Sequence, residues 1–179
     1  MSTTRTMGIE VTDVDTTQRL PLGFQYRQPA ANDGLGEKVW VYVFNDSTVW
    51  AQGHVITMDV SETTGAHERY HGILAIPMEE GTPALLVLGV AQHAIAAASY
   101  GFILKTGIGE VMAGAGTIPE RDVAGVGSIC VDDAADASGE AMGSAGLAAT
   151  GEKYNCTIGF SLENAAVADG SLATCFIDV

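Results

Sequence analysis

The residues best suited to chemistry are His67-Glu68-Arg69-Tyr70-His71, an H-E-x-x-H pattern. On a helix, two such histidines stand one turn apart and ligate Zn²⁺, while the glutamate acts as general base on the bound water. That chemistry needs a helix around the pattern and a third ligand. Gly65 lies two residues before the pattern and Gly72 follows it directly. Fewer than two uninterrupted turns remain, and helices that short are marginal alone. Arg69 puts a cation into the turn that should face the metal, and no further histidine follows at the longer zinc-peptidase spacing. The pattern reads as a solvated polar loop, with a zinc-dependent hydrolase through His67, Glu68 and His71 as the alternative function. His54 and His93 fall in expected strands.

The other reactive groups carry less. Cys130, Cys156 and Cys175 are odd in number and lack C-x-x-C spacing, which reads as reduced, partly buried thiols rather than a disulfide framework. The Glu79-Glu80 and Asp132-Asp133 pairs sit in turn-like segments where nothing would raise a carboxyl pKa. Trp40, Tyr42, Phe44 and Trp50 read as core rather than as a stacking platform. There is no G-x-S-x-G, no P-loop and no dinucleotide fingerprint. The expectation is a protein that is not an enzyme, with no catalytic residue, no metal and no cofactor.

The elements that would position these groups read as strands. At 179 residues, with 47% apolar and 17% charged residues, the chain suits one domain with a real core. Its 8 Lys plus Arg against 22 Asp plus Glu give a net charge of −14, which repels nucleic acid phosphates. The opening MSTTRTMGIE has no apolar h-region, so no secretory signal is expected. Residues 84–98 are too short, and too interrupted by Gln92 and His93, to span a bilayer.

The organising stretch is Leu85 to Val111, in which short apolar runs alternate with Gly and small residues. Gly107 and Gly109 are expected to bracket a tight turn before a further run. Lys38 to Phe44 is the strongest strand, β-branched or aromatic on both faces. Val49 to Met58 reads as its hairpin partner, and 72–77, 126–131, 157–162 and 171–179 as further strands. Residues 132–151, rich in Ala, Gly, Ser and Asp, read as a long flexible surface loop. Leu20, Leu22, Phe24 and Tyr26 alternate with polar residues behind Pro21, which marks an edge strand that needs cover. The fold expected is all-β: a small barrel or sandwich of consecutive hairpins, with an extended N-terminal arm over 1–27 and a single β-rich domain over 28–179.

Two hairpins carry a family likeness. Leu88-Gly89-Val90-Ala91, Tyr100-Gly101-Phe102-Ile103 and Gly107 are followed by Ile158-Gly159-Phe160-Ser161-Leu162-Glu163-Asn164-Ala165, Gly170 and a terminal apolar strand. With Leu22-Gly23 and Val39 to Val43 upstream, this resembles the head decoration, or capsid cement, proteins of tailed bacteriophages. The resemblance implies a β-rich protein on the capsid exterior of the virion, made in the host cytoplasm, with no catalytic residues. Its partners would be the major capsid protein and itself, as a homotrimer first and a dimer second, with no nucleic acid and no membrane. Lattice contact would run through Leu20, Leu22, Phe24 and Tyr26 on the arm. Removing residues 1–20 is expected to weaken capsid binding and leave the fold intact. A tail or head-fibre subunit is the neighbouring alternative.

Overall fold

A computed structural model describes residues 5–6, 8–30, 34–59, 70–75, 86–114, 118, 128–131, 139–143 and 157–179. Among them there is no helix, and the chain is an all-β protein built on a closed five-stranded barrel with extra strands. In chain order the strands are β1 (Arg5–Thr6), β2 (Ile9–Glu10), β3 (Gln25–Gln28), β4 (Lys38–Asn45), β5 (Val55–Met58), β6 (His71–Leu74), β7 (Val87–Val90), β8 (Ser99–Met112), β9 (Ser128–Val131), β10 (Ala141–Gly143), β11 (Thr157–Ser161) and β12 (Leu172–Asp178). The barrel closes in the order β8-β7-β5-β6-β4 and back to β8. Within it only the β4–β6 pairing is parallel.

β4 has a residue to bury on each face, so it sits between two cores. Val41 and Val43 join Trp50, Ile56, Leu88, Ala91, Ile95 and Ile103 inside the barrel. Trp40 and Tyr42 face outward, with Phe102 and Leu104, into a second cluster that also takes Ile9, Val11, Leu20, Ile129, Ile158 and Ile177. The barrel wall is thus covered by the N-terminal segment and by the sheet of β9 to β12.

β8 is the spine. Its residues 99–106 pair with β4 and its residues 106–112 with β12. One strand therefore belongs to both the barrel and the covering sheet. The tight turn expected at Gly107 and Gly109 does not form, because β8 runs through both. The glycines serve close approach instead. A Cβ on Gly107, where φ is +124°, would meet the Glu37 carbonyl oxygen at 2.9 Å, and one on Gly109 would meet Leu104 Cδ2 at 2.5 Å and Gln92 Oε1 at 2.7 Å. Gln92 fills that space as a surrogate strand. Its Nε2 donates to the Glu110 carbonyl and its Oε1 accepts from the Glu110 N–H, both at 2.9 Å.

The hairpin expected between 38–44 and 49–58 is also corrected. β5 pairs with β6 and β7, not with β4. Trp50 is the physical reason: it is completely buried in the barrel interior and bonds Ile95 through both backbone groups, at 3.0 and 3.1 Å. Burial of one large aromatic outweighs a short ladder. Asn45 holds the turn before it. Its Nδ2 donates to the carbonyls of Thr48, Ile95 and Ala96 at 2.8, 3.0 and 3.1 Å, and its Oδ1 accepts from the Ser47 N–H at 2.9 Å.

Two expectations about loops change. Within 132–151, residues 141–143 form β10 and pair with β9, Ala141 opposite Val131. Gly139 bonds into the barrel, accepting from the Val55 N–H at 2.7 Å and donating to the Ala75 carbonyl at 2.8 Å. Small residues there permit close packing on the barrel rather than a free loop; 132–138 and 144–151 lie outside the described residues. The N-terminal segment is extended as expected, but it lies on the domain. Ile9, Val11 and Leu20 are buried, the Arg19 N–H donates to the Tyr42 hydroxyl at 3.2 Å, and Asp15 bonds Tyr100 through both backbone groups.

Candidate interaction surfaces

The residues expected to contact a lattice divide. Leu20 is only 5% exposed and belongs to the outer core, so it cannot reach a partner without unfolding the segment. Leu22, Phe24 and Tyr26 are half-buried and pack against the same core. The backbone explains this: Gly23 and Phe24 already bond Tyr42, at 2.8 and 2.9 Å, before β3 pairs with β4 from Gln25 to Gln28. β3 ends the main sheet, and no described strand pairs with its outer edge.

His67, Glu68 and Arg69 lie outside the described residues. His71 does not sit on a helix. It opens β6, opposite Phe44 of β4, and its Nδ1 lies 3.1 Å from Asp46 Oδ2. Its ring packs on Phe44 with centroids 4.9 Å apart. The side chain joins two strands, where a solvated loop was expected. Among the described residues, no three His, Cys, Asp or Glu side chains converge as a metal-holding group.

His54 and His93 do not fall in strands. His54 immediately precedes β5, and its Nδ1 accepts from the Ala51 N–H at 3.2 Å. Both ring nitrogens of His93, in the turn after β7, are buried without a hydrogen-bond partner. Burial lowers both pKa values, offset at His93 by the Asp13 carboxylate. A depressed folded-state pKa means that the unfolded chain takes up the proton first. Stability is therefore intact above the ordinary imidazole value of about 6.5 and falls as pH drops through the lowered folded-state values. Thermal midpoints measured from pH 7.5 down to about 5 should decline, and His93→Phe should flatten the decline. An unchanged slope in that variant would remove His93 from this role.

The remaining reactive groups are structural. Cys130 and Cys175 are buried thiols; Cys156 and both acidic pairs, Glu79-Glu80 and Asp132-Asp133, lie outside the described residues. Burial, then the nearby Glu163 and Glu110 carboxylates, push the Cys175 thiol up to about 12, far from a nucleophile's range. Trp40, Tyr42 and Trp50 are core. The two indoles are satisfied, donating to Gln28 Oε1 at 2.9 Å and to Ser47 Oγ at 3.0 Å.

One surface escaped the sequence reading. Phe160 is 53% exposed, Leu172 40% and Phe176 38%. Phe160 stands directly opposite Phe176 across β11 and β12, and Phe176 stands opposite Ile108 of β8. Directly paired residues share a face, so Phe160, Phe176 and Ile108 form an apolar row across three strands. Leu172 and Met112 make a second pair on the same face. The signal was present as alternation: in β12, Ala173, Cys175 and Ile177 are buried while Leu172, Phe176 and Asp178 are exposed. Apolar residues on both faces mark a strand with two surfaces to cover.

No family model matches the chain, and no curated protein does.

Proposed function

We propose that this protein is a capsid decoration protein. It binds the outside of a tailed-phage head and reinforces contacts between major capsid subunits. The observation that supports the reading is that β3 ends the sheet among the described strands, with half-buried Leu22, Phe24 and Tyr26 along that border. A sheet edge beside apolar side chains adheres to other chains unless covered. The likeness of the two Gly-containing hairpins to decoration proteins supports the same reading.

The mechanism is added buried area. Each apolar square ångström removed from water at a joint contributes about 25 cal/mol, and a repeating lattice multiplies a weak single contact. The net charge of −14 keeps the protein off the packaged genome and favours shell surfaces with basic rims. Leu20 is removed from the contact set because it is core.

The test is co-sedimentation of the full chain with phage heads stripped of it. Phe24→Lys should lower occupancy about ten-fold or more by placing a charge at the contact, with thermal midpoints followed in parallel to separate folding from binding. Unchanged occupancy in a folded variant would overturn the β3 edge as the lattice contact.

A further inference from the structure

We infer that a cavity at one end of the barrel binds a medium-chain carboxylic acid, with its hydrocarbon tail among apolar walls and its carboxylate on the Lys105 ammonium. This goes beyond the decoration reading and does not rest on it, because none of Leu22, Phe24 and Tyr26 lines the cavity.

The cavity measures about 230 Å³. Met58 ends β5, Tyr70 immediately precedes β6 and Val87 opens β7, and all three line it. It therefore lies where these strands meet at one end of the barrel. Val41 and Leu88, from the cluster inside the barrel, line it too. Leu86, which is 54% exposed, brings it to solvent. Two bulges shape it. The register of β4 and β8 shifts between the pairs Trp40–Leu104 and Val39–Thr106, and Lys105 is the extra residue. The register of β5 and β7 shifts between the pairs Ile56–Gly89 and Thr57–Val87, and Leu88 is the extra residue. Bulges at barrel rims re-aim side chains, and both extra residues line the cavity.

The walls select the ligand. Among the described residues lining the cavity, Lys105 has the only charged side chain. It is half-buried, and no described carboxylate pairs with it. A partly buried ammonium without a partner is costly, and a carboxylate placed on it makes a charge-assisted hydrogen bond. A neutral hydrocarbon would leave the ammonium unpaired, and a phosphate monoester would bring nearly two negative charges to a single cation. Apolar walls with one polar anchor are the usual make-up of a small-molecule site, and barrel mouths are a usual place for one. The volume sets the size. A dry cavity of about 150 Å³ holds benzene, so about 230 Å³ holds roughly nine non-hydrogen atoms. With the carboxylate included, that is a chain of about six to eight carbons.

Calorimetric titration of the purified full chain with octanoate tests this directly. One octanoate should bind per chain, with a Kd between about 10 µM and about 1 mM. Octanol, which has the tail without the charge, should bind at least about ten-fold more weakly. Dodecanoate should gain less than about ten-fold, because the cavity is already full. Lys105→Met should weaken octanoate binding about ten-fold or more with its thermal midpoint held. Leu86→Glu, at an exposed position, should weaken it similarly by placing a like charge at the opening. A chain that binds no octanoate at about 5 mM overturns the proposal and leaves the cavity to a protein partner's side chain. Equal affinity for octanol and octanoate overturns it too. So does binding that both variants leave intact, or that climbs with every added carbon beyond one ligand per chain, which is surface adsorption only.

Discussion

A chain lacking residues 1–20 is expected to be largely unfolded. The deletion removes Ile9, Val11 and Leu20 from the outer core. Each buried side chain of this kind contributes about 1.5–3 kcal/mol, so the loss of three is about 4.5–9 kcal/mol, an upper estimate because unfolded chains are partly compact. Domains of this size are stable by only about 5–15 kcal/mol. The deletion also uncovers Trp40 and Tyr42, the outward face of β4, and removes the Arg19 N–H from the Tyr42 hydroxyl. Leu20→Ala, which keeps the segment, should cost about 2–5 kcal/mol. Urea unfolding followed by tryptophan fluorescence reads both. A truncated chain that unfolds at the same urea concentration as the full chain would mean the segment is a free arm after all.

The second large effect is expected at Gly159. A Cβ there would fall on the Phe176 carbonyl oxygen, with the Phe176 carbonyl carbon and Ile177 Cα at 2.9 and 3.0 Å. The obstacle is backbone on the neighbouring strand, so no side-chain rotation relieves it. β11 also shifts register against β9 between Thr157 and Gly159, a bulge that brings the strands close. Gly159→Ala should therefore cost about 3–5 kcal/mol and separate β11 from β12. Hydrogen exchange would report it as lost protection in β12 with the barrel amides retained. Uniform loss across both would place β11 and β12 in one cooperative unit with the barrel, and full protection would contradict the close approach.

Gly159 also marks what could be read in the sequence. Gly89 in Leu88-Gly89-Val90-Ala91 plays a matching part: its Cβ would meet the Leu104 carbonyl oxygen at 2.5 Å. The sequence showed both glycines inside apolar runs but not their role, because the carbonyls they approach, those of Leu104 and Phe176, are set by strand pairing. β4, β9, β11 and β12 were legible, since β-branched and aromatic runs report burial directly. Partner choice was not. Nothing in Val49 to Met58 indicates that Trp50 will plug the barrel and send β5 to β6 and β7. Gly107 and Gly109 carry the same letters as turn glycines, and only the Gln92 side chain and the Glu37 carbonyl, both distant in sequence, explain them. Alternation over residues 20–26 announced an apolar face but not its cover, which turned out to be the protein's own Trp40 and Tyr42 face. The row on β11, β12 and β8 was hidden because its members lie on three strands joined only by register.

The proposed adhesion to the exterior of a phage shell is tested by quantitative mass spectrometry of virions purified from a culture expressing the chain. The chain is expected in a fixed ratio to the major capsid subunit, and is expected to be released by mild denaturant while the genome stays packaged. Washed particles that lack the chain, or hold it in traces that vary between preparations, would contradict it.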